Sequence, residues 1–226
     1  MPRFSRLETL STIIEGGLVP VFYNGSLEKA KKVVAACAEG GIRAMEFTNR
    51  GDGALEIFKG LELFAKEQYP EVILGAGSIA DAPTAALYIQ YGANFIVAPF
   101  LDEETAVLCN KRKVPYSPGC GSVTEIHRAE ALGVEICKIF PGSQVGGPGF
   151  VKAVLGPCPR TNLMPTGGVE PTEESLTAWF GAGVACVGLG SSLVPSSLND
   201  DFDYGSITAK LLKAREILAG LKRKRG

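Results

Sequence analysis

The sequence contains almost no histidine, since His127 is the only one in 226 residues. Zinc and non-haem iron sites rely heavily on imidazole ligands, so a histidine-based metal site is not expected. The six cysteines show no C-x-x-C spacing, and several lie inside apolar runs, where a free thiol behaves as a small hydrophobic side chain. The sequence therefore predicts no bound metal, and it indicates a reducing compartment, which we take to be the cytoplasm.

An excess of either charge is also missing. Lys and Arg number 23 against 24 Asp and Glu, a formal net charge of −1, so no nucleic-acid partner is expected. No apolar run approaches the roughly 20 residues of a membrane-spanning helix. The first residues show a mixed helical pattern without the apolar core of a signal peptide, so we expect no membrane partner. We interpret the basic residues at 221–226 as a solvated helix end.

Nucleotide-binding motifs are absent as well. Neither Gly75 to Ser78 nor Gly188 to Ser191 completes the G-x-G-x-x-G pattern of dinucleotide sites, and there is no P-loop. The sequence therefore predicts no nucleotide cofactor. We expect no other cofactor.

Apolar runs of strand length alternate with amphipathic helical stretches along the chain. Eight such units, spaced at roughly 25 residues, favour an α/β fold in which a closed (β/α)8 (TIM) barrel fills residues 1–226 as a single domain. A helix at 4–16 precedes the first strand, and a helix at 206–222 closes the barrel. The predicted strands are 18–23, 42–48, 72–77, 94–99, 114–118, 135–141, 162–166 and 184–189.

Helix boundaries follow from capping residues. Ser26, Asp81 and Thr124 are predicted to begin helices that reach about residues 39, 91 and 132, because Ser, Thr and Asp side chains accept hydrogen bonds from the first turn. Gly16-Gly17 is predicted to end the first helix. A shorter helix is expected at 149–155.

One predicted strand carries a lysine at its centre. Residues 135–141 are almost wholly apolar around Lys138, and none of the other twelve lysines has such a setting. Parallel strands are buried on both faces, so the pKa of a lysine there should fall and leave a neutral amine, the nucleophile of Schiff-base chemistry. The alternative is a lysine at a strand end that extends to solvent.

The carboxyl ends of the other strands supply partners for this lysine, because barrel active sites are built there. Glu46 is predicted to act as a general acid or base, although a structural ion pair with Lys138 is the alternative. Arg50 is placed to bind a carboxylate or phosphate, although a solvated arginine would look the same. The candidate substrate-binding residues are Arg50, Ser78, Pro99, Thr166, Gly167, Gly168, Gly190 and Ser191.

Glycine-rich turns follow the seventh and eighth predicted strands, at residues 165–169 and 188–192. Barrels commonly bind phosphate in those two loops through backbone N–H groups, although simple turns would also need glycine. The residues alone thus predict a lyase or aldolase acting on a keto acid or sugar phosphate. An isomerase or synthase with the same barrel, and a sugar-acid binding protein without activity, stay open.

The ordered motifs resemble one known family, the class I aldolases of 2-keto-3-deoxy-6-phosphogluconate (KDPG) and 4-hydroxy-2-oxoglutarate (KHG). The resemblance covers about residues 5–195. It lies in Val19-Pro20-Val21, Met45-Glu46-Phe47-Thr48-Asn49-Arg50, Leu74-Gly75-Ala76-Gly77-Ser78, Ala98-Pro99, Ser117-Pro118-Gly119, Lys138-Ile139-Phe140-Pro141, Pro165-Thr166-Gly167-Gly168-Val169 and Gly188-Leu189-Gly190-Ser191.

The resemblance implies a (β/α)8 homotrimer that needs no metal and acts on a small keto acid. It implies a Schiff base on Lys138 and proton transfer by Glu46. Arg50 and Ser78 would hold the pyruvate carboxylate, and the phosphate site would be lined by Gly167, Gly168 and Ser191.

Two features depart from the family pattern. Ser78 stands where threonine is frequent, which preserves the hydroxyl. The loop at 141–149 is long and rich in glycine, and it bears on the choice of substrate. KDPG is the first expected substrate, KHG the second, and 2-dehydro-3-deoxy-6-phosphogalactonate or the substrate of a non-aldolase barrel the alternative.

Overall fold

The computed structural model describes residues 1–223, with side chains as far as Leu221. The predicted role of the basic residues at 221–226 therefore falls largely outside the described residues. The strands are β1 Leu18–Phe22, β2 Ala44–Thr48, β3 Ile73–Gly77, β4 Ile96–Val97, β5 Tyr116–Ser117, β6 Gly119–Cys120, β7 Cys137–Ile139, β8 Leu163–Pro165 and β9 Val187–Leu189. The helices are α1 Arg6–Gly16, α2 Leu27–Glu39, α3 Ala54–Gln68, α4 Ala82–Gln90, α5 Glu103–Arg112, α6 Val123–Ala131, α7 Gly147–Leu155, α8 Glu173–Ala182 and α9 Gly205–Arg223.

The strands pair in parallel and form two sheets. Six of them form a curled half-barrel in the order β5-β4-β3-β2-β1-β9, and the other three pair as β6-β7-β8. A single parallel bridge from Thr166 to Gly188 links β8 to β9. The predicted α/β class with parallel strands is confirmed, whereas closure into an eight-stranded barrel stays a prediction.

The predicted strand at 114–118 differs from the observed one. It is shifted and divided into β5, which pairs with β4, and β6, which pairs with β7, with Pro118 between them. Proline has no N–H group to donate to a neighbouring strand, so it interrupts the ladder. Its carbonyl still accepts a hydrogen bond from the Lys138 N–H, at 3.0 Å.

Capping side chains begin the helices, and one predicted cap is wrong. Ser26 and Asp81 cap α2 and α4 as expected. Thr124 lies inside α6, and Ser122 is the N-cap instead, with its Oγ accepting from the Glu125 N–H. The S-x-x-E spacing of Ser122 and Glu125 is the usual capping-box signature, so the sequence itself predicts Ser122 as the N-cap.

Helix α1 packs against the amino-terminal part of the sheet. Its Leu10 and Ile13 join an apolar cluster with side chains from strands or the residues beside them: Val19, Ala44, Ile73, Phe95, Val97, Ile136, Met164 and Cys186. Glycine at position 75 is required there, because a β-carbon would overlap the Phe95 ring. A second and larger cluster fills the space between the strands and the outer helices. The first helix is therefore part of the core.

The cysteines behave as the composition suggested. All six are free and all but Cys158 are buried, and burial raises the pKa of both Cys37 and Cys186 to about 12. None of the described helices is long and apolar enough to cross a membrane.

An ion pair fixes the residues before α1. The Arg3 Nε lies 2.6 Å from Glu62 Oε1, and the Arg3 guanidinium also donates to the carbonyl groups of Pro70 and Val72. Burial raises the pKa of the Glu62 carboxyl. The Arg3 charge and hydrogen bond lower it, but the effect of burial is larger, so the pKa is raised overall. Within the described residues, Glu62 Oε2 has no hydrogen-bond partner, so Arg3 provides the carboxylate with its main compensation.

We expect Arg3→Ala to lower the free energy of unfolding at pH 7 by about 2–4 kcal/mol, because it leaves a buried carboxylate uncompensated. Urea denaturation measures the change. The cost should shrink near pH 4, where the Glu62 carboxyl is protonated, because its raised pKa makes it neutral there. It should also shrink at pH 7 in a Glu62→Gln background. An equal cost in both backgrounds would show that the pair is unimportant.

Candidate active site

Lys138 and Glu46 form a buried pair of opposite charge. Lys138 lies on β7 and Glu46 on β2, and the Nζ atom is 3.9 Å from Oε1. The two side chains are 7% and 1% exposed, so Lys138 does not extend to solvent as the alternative required. Its Nζ also lies 5.0 Å from the centre of the Phe140 ring. The sequence-based expectation of a buried lysine is confirmed.

The Glu46 carboxylate is poorly compensated. Neither of its oxygen atoms has a hydrogen-bond partner among the described residues. The adjacent strand makes room for it, because a β-carbon at Gly77 would overlap the carboxylate. A carboxylate with free lone pairs beside an amine can accept a proton from a reacting group and return it. Gly77 is thus a functional position that the strand-end interpretation passed over.

Arg50 and Ser78 meet at the carboxyl ends of β2 and β3. Arg50 Nε donates to Ser78 Oγ at 3.3 Å, and the Asn49 N–H donates to the Gly77 carbonyl at 2.8 Å. Ser78 adopts a left-handed backbone conformation, with φ of 57°. Non-glycine residues rarely adopt it, and it often marks a functional constraint. Two groups that can bind a carboxylate therefore converge beside Glu46.

A cavity of about 420 Å³ opens at the same ends of the strands. Among the predicted site residues, it is lined by Arg50, Thr166, Gly167, Gly168, Gly190 and Ser191, but not by Lys138, Glu46, Ser78 or Pro99. Phe140 lines the cavity, and its ring centre is 5.0 Å from the Lys138 Nζ, so the buried pair lies close to the cavity.

Several lining residues were not among the candidate site residues named from the sequence. They are Val21, Phe22, Tyr23, Thr48, Phe140, Val169, Glu170, Ser192, Val194, Pro195 and Ser196. Tyr23 directly follows β1, and Glu170 follows the two glycines after β8. The rule that placed the other candidates at strand ends would have found both, had it been extended a few residues into each loop.

Glycines shape the wall formed after β8. Gly167 and Gly168 have φ of 93° and 75°, in the region that glycine adopts without strain. Thr166 Oγ1 lies where a β-carbon at Gly188 would be, and it has no hydrogen-bond partner among the described residues. The Gly142 and Ser143 N–H groups donate to the Thr166 and Gly167 carbonyl groups. The glycine-rich loop after Lys138 is therefore attached to the predicted phosphate turn.

Pro99 is linked to the site through its backbone. Its carbonyl group lies against Gly119, where a β-carbon would overlap it. Gly119 in turn pairs with Lys138 in the sheet. Pro99 thus supports the lysine-bearing strand. No cluster of three or more His, Cys, Asp or Glu side chains suited to a metal ion occurs in the part of the chain that the structure describes.

The chain is similar to known proteins over most of its length. The family model described as KDPG and KHG aldolase matches residues 10–210. The chain belongs to this aldolase family. The KHG/KDPG aldolase of Escherichia coli strain K12 is 33% identical over 212 residues, which cover 94% of this chain and 95% of that protein. The 2-dehydro-3-deoxy-phosphogluconate aldolase of Dickeya dadantii strain 3937 is 33% identical, covering 91% and 92%.

A solved structure agrees with the aldolase assignment. The KDPG aldolase of Legionella pneumophila, in which pyruvate was captured at low pH as a covalent carbinolamine intermediate, matches with a TM-score of 0.80 and 27% identity. The match covers 91% of this chain and 97% of that one. The resemblance found in the sequence is confirmed, and membership of an aldolase family makes the protein a lyase.

We expect Gly77→Ala to lower the aldol cleavage rate at least about a hundredfold, because a β-carbon there would displace the Glu46 carboxylate, and displacements of about 1 Å can have such an effect. The measurement is kcat, with circular dichroism to verify the fold. Gly181→Ala in α8 is the matched control, since a β-carbon there meets nothing within 4 Å. A folded Gly77→Ala protein with the normal rate would contradict the importance of the Glu46 position.

Proposed function

We propose that the protein is a class I aldolase that cleaves a 2-keto-4-hydroxy acid to pyruvate and an aldehyde. KDPG, which yields glyceraldehyde 3-phosphate, is the first candidate substrate, and KHG, which yields glyoxylate, is the second. The observation that carries the proposal is the amine of Lys138, buried 3.9 Å from a carboxylate that has no other partner among the described residues. A desolvated amine beside a base is the requirement of Schiff-base catalysis.

The proposed reaction begins when neutral Lys138 attacks the C2 ketone and loses water to give an iminium ion. Glu46 removes the proton of the C4 hydroxyl, directly or through a water molecule. The C3–C4 bond then breaks, its electrons move into the iminium system, and the aldehyde departs. The resulting enamine takes a proton at C3, and water releases pyruvate from Lys138. One base beside one iminium ion therefore serves each proton transfer.

The substrate would lie along the strand ends. Arg50 and Ser78 are proposed to hold the keto-acid carboxylate, because a guanidinium and a hydroxyl meet there beside Glu46. Pro99 would support the same end of the pocket from behind Gly119. The distal end of the substrate would reach the turns of Thr166, Gly167, Gly168, Gly190 and Ser191, which line the cavity.

We further propose that the two sheets form one closed (β/α)8 barrel and that the chain is a single domain. The Thr166–Gly188 bridge at one seam and the passage of the chain from β5 to β6 at the other support closure. The apolar cluster beneath the site supports it too, since both sheets contribute to it. A homotrimer in the cytoplasm that needs no metal or other cofactor completes the proposal. The phosphogalactonate isomer of the substrate stays an alternative to KDPG.

We expect Lys138→Ala to abolish pyruvate release and also to prevent a pyruvate adduct, because no other described lysine is buried beside a carboxylate. For the parent protein, borohydride reduction in the presence of pyruvate, followed by peptide mass spectrometry, should place the adduct on Lys138. Lys152→Ala, which removes an exposed lysine on α7, should behave as the parent protein.

Glu46→Gln should still form the pyruvate adduct but should slow turnover by about 10²–10⁴-fold, the usual contribution of a general base. This split between adduct formation and turnover separates proton transfer from nucleophilic attack. Normal turnover by Lys138→Ala, or an adduct confined to surface lysines, would overturn the proposed chemistry.

A further inference from the structure

The charge of the cavity is unusual for a site that must receive an anionic substrate. Its lining among the described residues contains one cation, Arg50, and one anion, Glu170, so the formal charges of the wall sum to zero. Arg50 is already engaged with Ser78 and is placed for the keto-acid carboxylate. A phosphate group at the distal end would therefore share the cavity with a carboxylate and would find no second cation there.

The Glu170 side chain is available to a ligand. Glu170 is exposed, and its carboxylate has no hydrogen bond or ion pair with any described residue. Its backbone is fixed, because the Glu170 N–H donates to Ser175 Oγ at 3.0 Å. The side chain therefore projects from a fixed turn, which lies between the glycines Gly167 and Gly168 and the start of α8.

The nearest helix end offers a phosphate little compensation. α8 begins two residues after Pro171, and its first turn carries Glu173 and Glu174. Carboxylates at a helix amino terminus neutralise the partial positive charge that would otherwise attract an anion. The electrostatics around Glu170 thus disfavour a dianion from two sides.

Hydrogen bonding adds a chemical criterion. A carboxylate and a phosphate dianion both act only as hydrogen-bond acceptors, so neither can donate to the other. A hydroxyl group can donate a hydrogen bond to a carboxylate. The hydroxyl groups of Ser191 and Ser196, which also line the cavity, can serve as either donor or acceptor. The part of the wall that contains Glu170 is therefore better matched to an uncharged polyhydroxyl chain than to a phosphate.

We propose that Glu170 is a specificity-determining residue, which accepts hydrogen bonds from the distal hydroxyl groups of a 2-keto-3-deoxy sugar acid and opposes a phosphorylated distal end. The protein consequently cleaves unphosphorylated 2-keto-3-deoxy sugar acids with an efficiency close to that for the phosphorylated compounds. This inference rests on the aldolase function proposed above, and it concerns only the end of the substrate remote from Lys138.

The test compares kcat/KM for 2-keto-3-deoxygluconate and for its 6-phosphate, measured by pyruvate release. Glu170→Gln should raise the value for the phosphorylated compound about tenfold, because a unit charge is removed near a dianion. It should lower the value for the unphosphorylated compound, because an ionic acceptor becomes a neutral amide. The gain should diminish as salt is added, since salt screens exposed charges.

Glu39→Gln is the matched control. It removes the same charge at an exposed position at the carboxyl end of α2, which lies near the amino-terminal end of β2 and does not line the cavity, so it should change the preference less than about twofold. A preference that is unchanged in Glu170→Gln, or that changes equally in both variants, would overturn the inference. Equal losses on both substrates would also overturn it, since they would indicate a purely structural role.

Pyruvate trapping on Lys138 distinguishes this inference from the underlying function. Pyruvate has no distal end, so adduct formation should be the same in the parent protein and in Glu170→Gln. A normal adduct with an unaltered substrate preference would reject the role of Glu170 and leave the aldolase chemistry standing. Absence of the adduct from the parent protein would reject the aldolase chemistry itself.

Discussion

The removal of Lys138 and Glu46 from water is the constraint on which the site depends. Their side chains are 7% and 1% exposed, and the charged atoms are 3.9 Å apart. Two unit charges at about 4 Å attract by about 4 kcal/mol at an effective dielectric constant of 20. The desolvation of each ion costs several kcal/mol, so such a pair does not stabilise a fold efficiently. A structural ion pair would be expected to have further hydrogen bonds, yet both Glu46 oxygens lack them among the described residues.

The neighbouring residues maintain this arrangement mainly by leaving space. Gly77 leaves room for the Glu46 carboxylate, Gly188 for the Thr166 hydroxyl, and Gly119 for the Pro99 carbonyl. In each case the side chain that is missing on one strand determines where a polar group on, or just after, another strand can lie. Packing in a protein interior is dense enough for a single methyl group to move such a group. The family motifs rich in glycine therefore have a steric meaning here that extends beyond turn formation.

The sequence predicted the strands and their functional side chains better than it predicted the loops. The apolar surroundings of Lys138 and Glu46 predicted burial, since strand periodicity is a local property. The cap at Thr124 was wrong because Ser122 offered a better-placed acceptor. Tyr23 and Glu170 were missed because the strand-end rule was not extended far enough into each loop, although only the path of the loop decides which of those added residues face the cavity. The position of Phe140 between the cavity lining and the neighbourhood of Lys138 likewise depends on packing across strands.

The position of α1 has a consequence for the order of events in turnover. Leu10 and Ile13 pack into the apolar cluster at the amino-terminal part of the sheet, while the cavity opens at the opposite ends of the strands. Substrate therefore enters, and products leave, at the carboxyl ends of the strands. In the proposed cleavage, the fragment bonded to Lys138 occupies the interior and the aldehyde lies nearer the entrance. The proposed site is then a pocket with a single entrance. The aldehyde departs first, and pyruvate, which is held deepest, is released last.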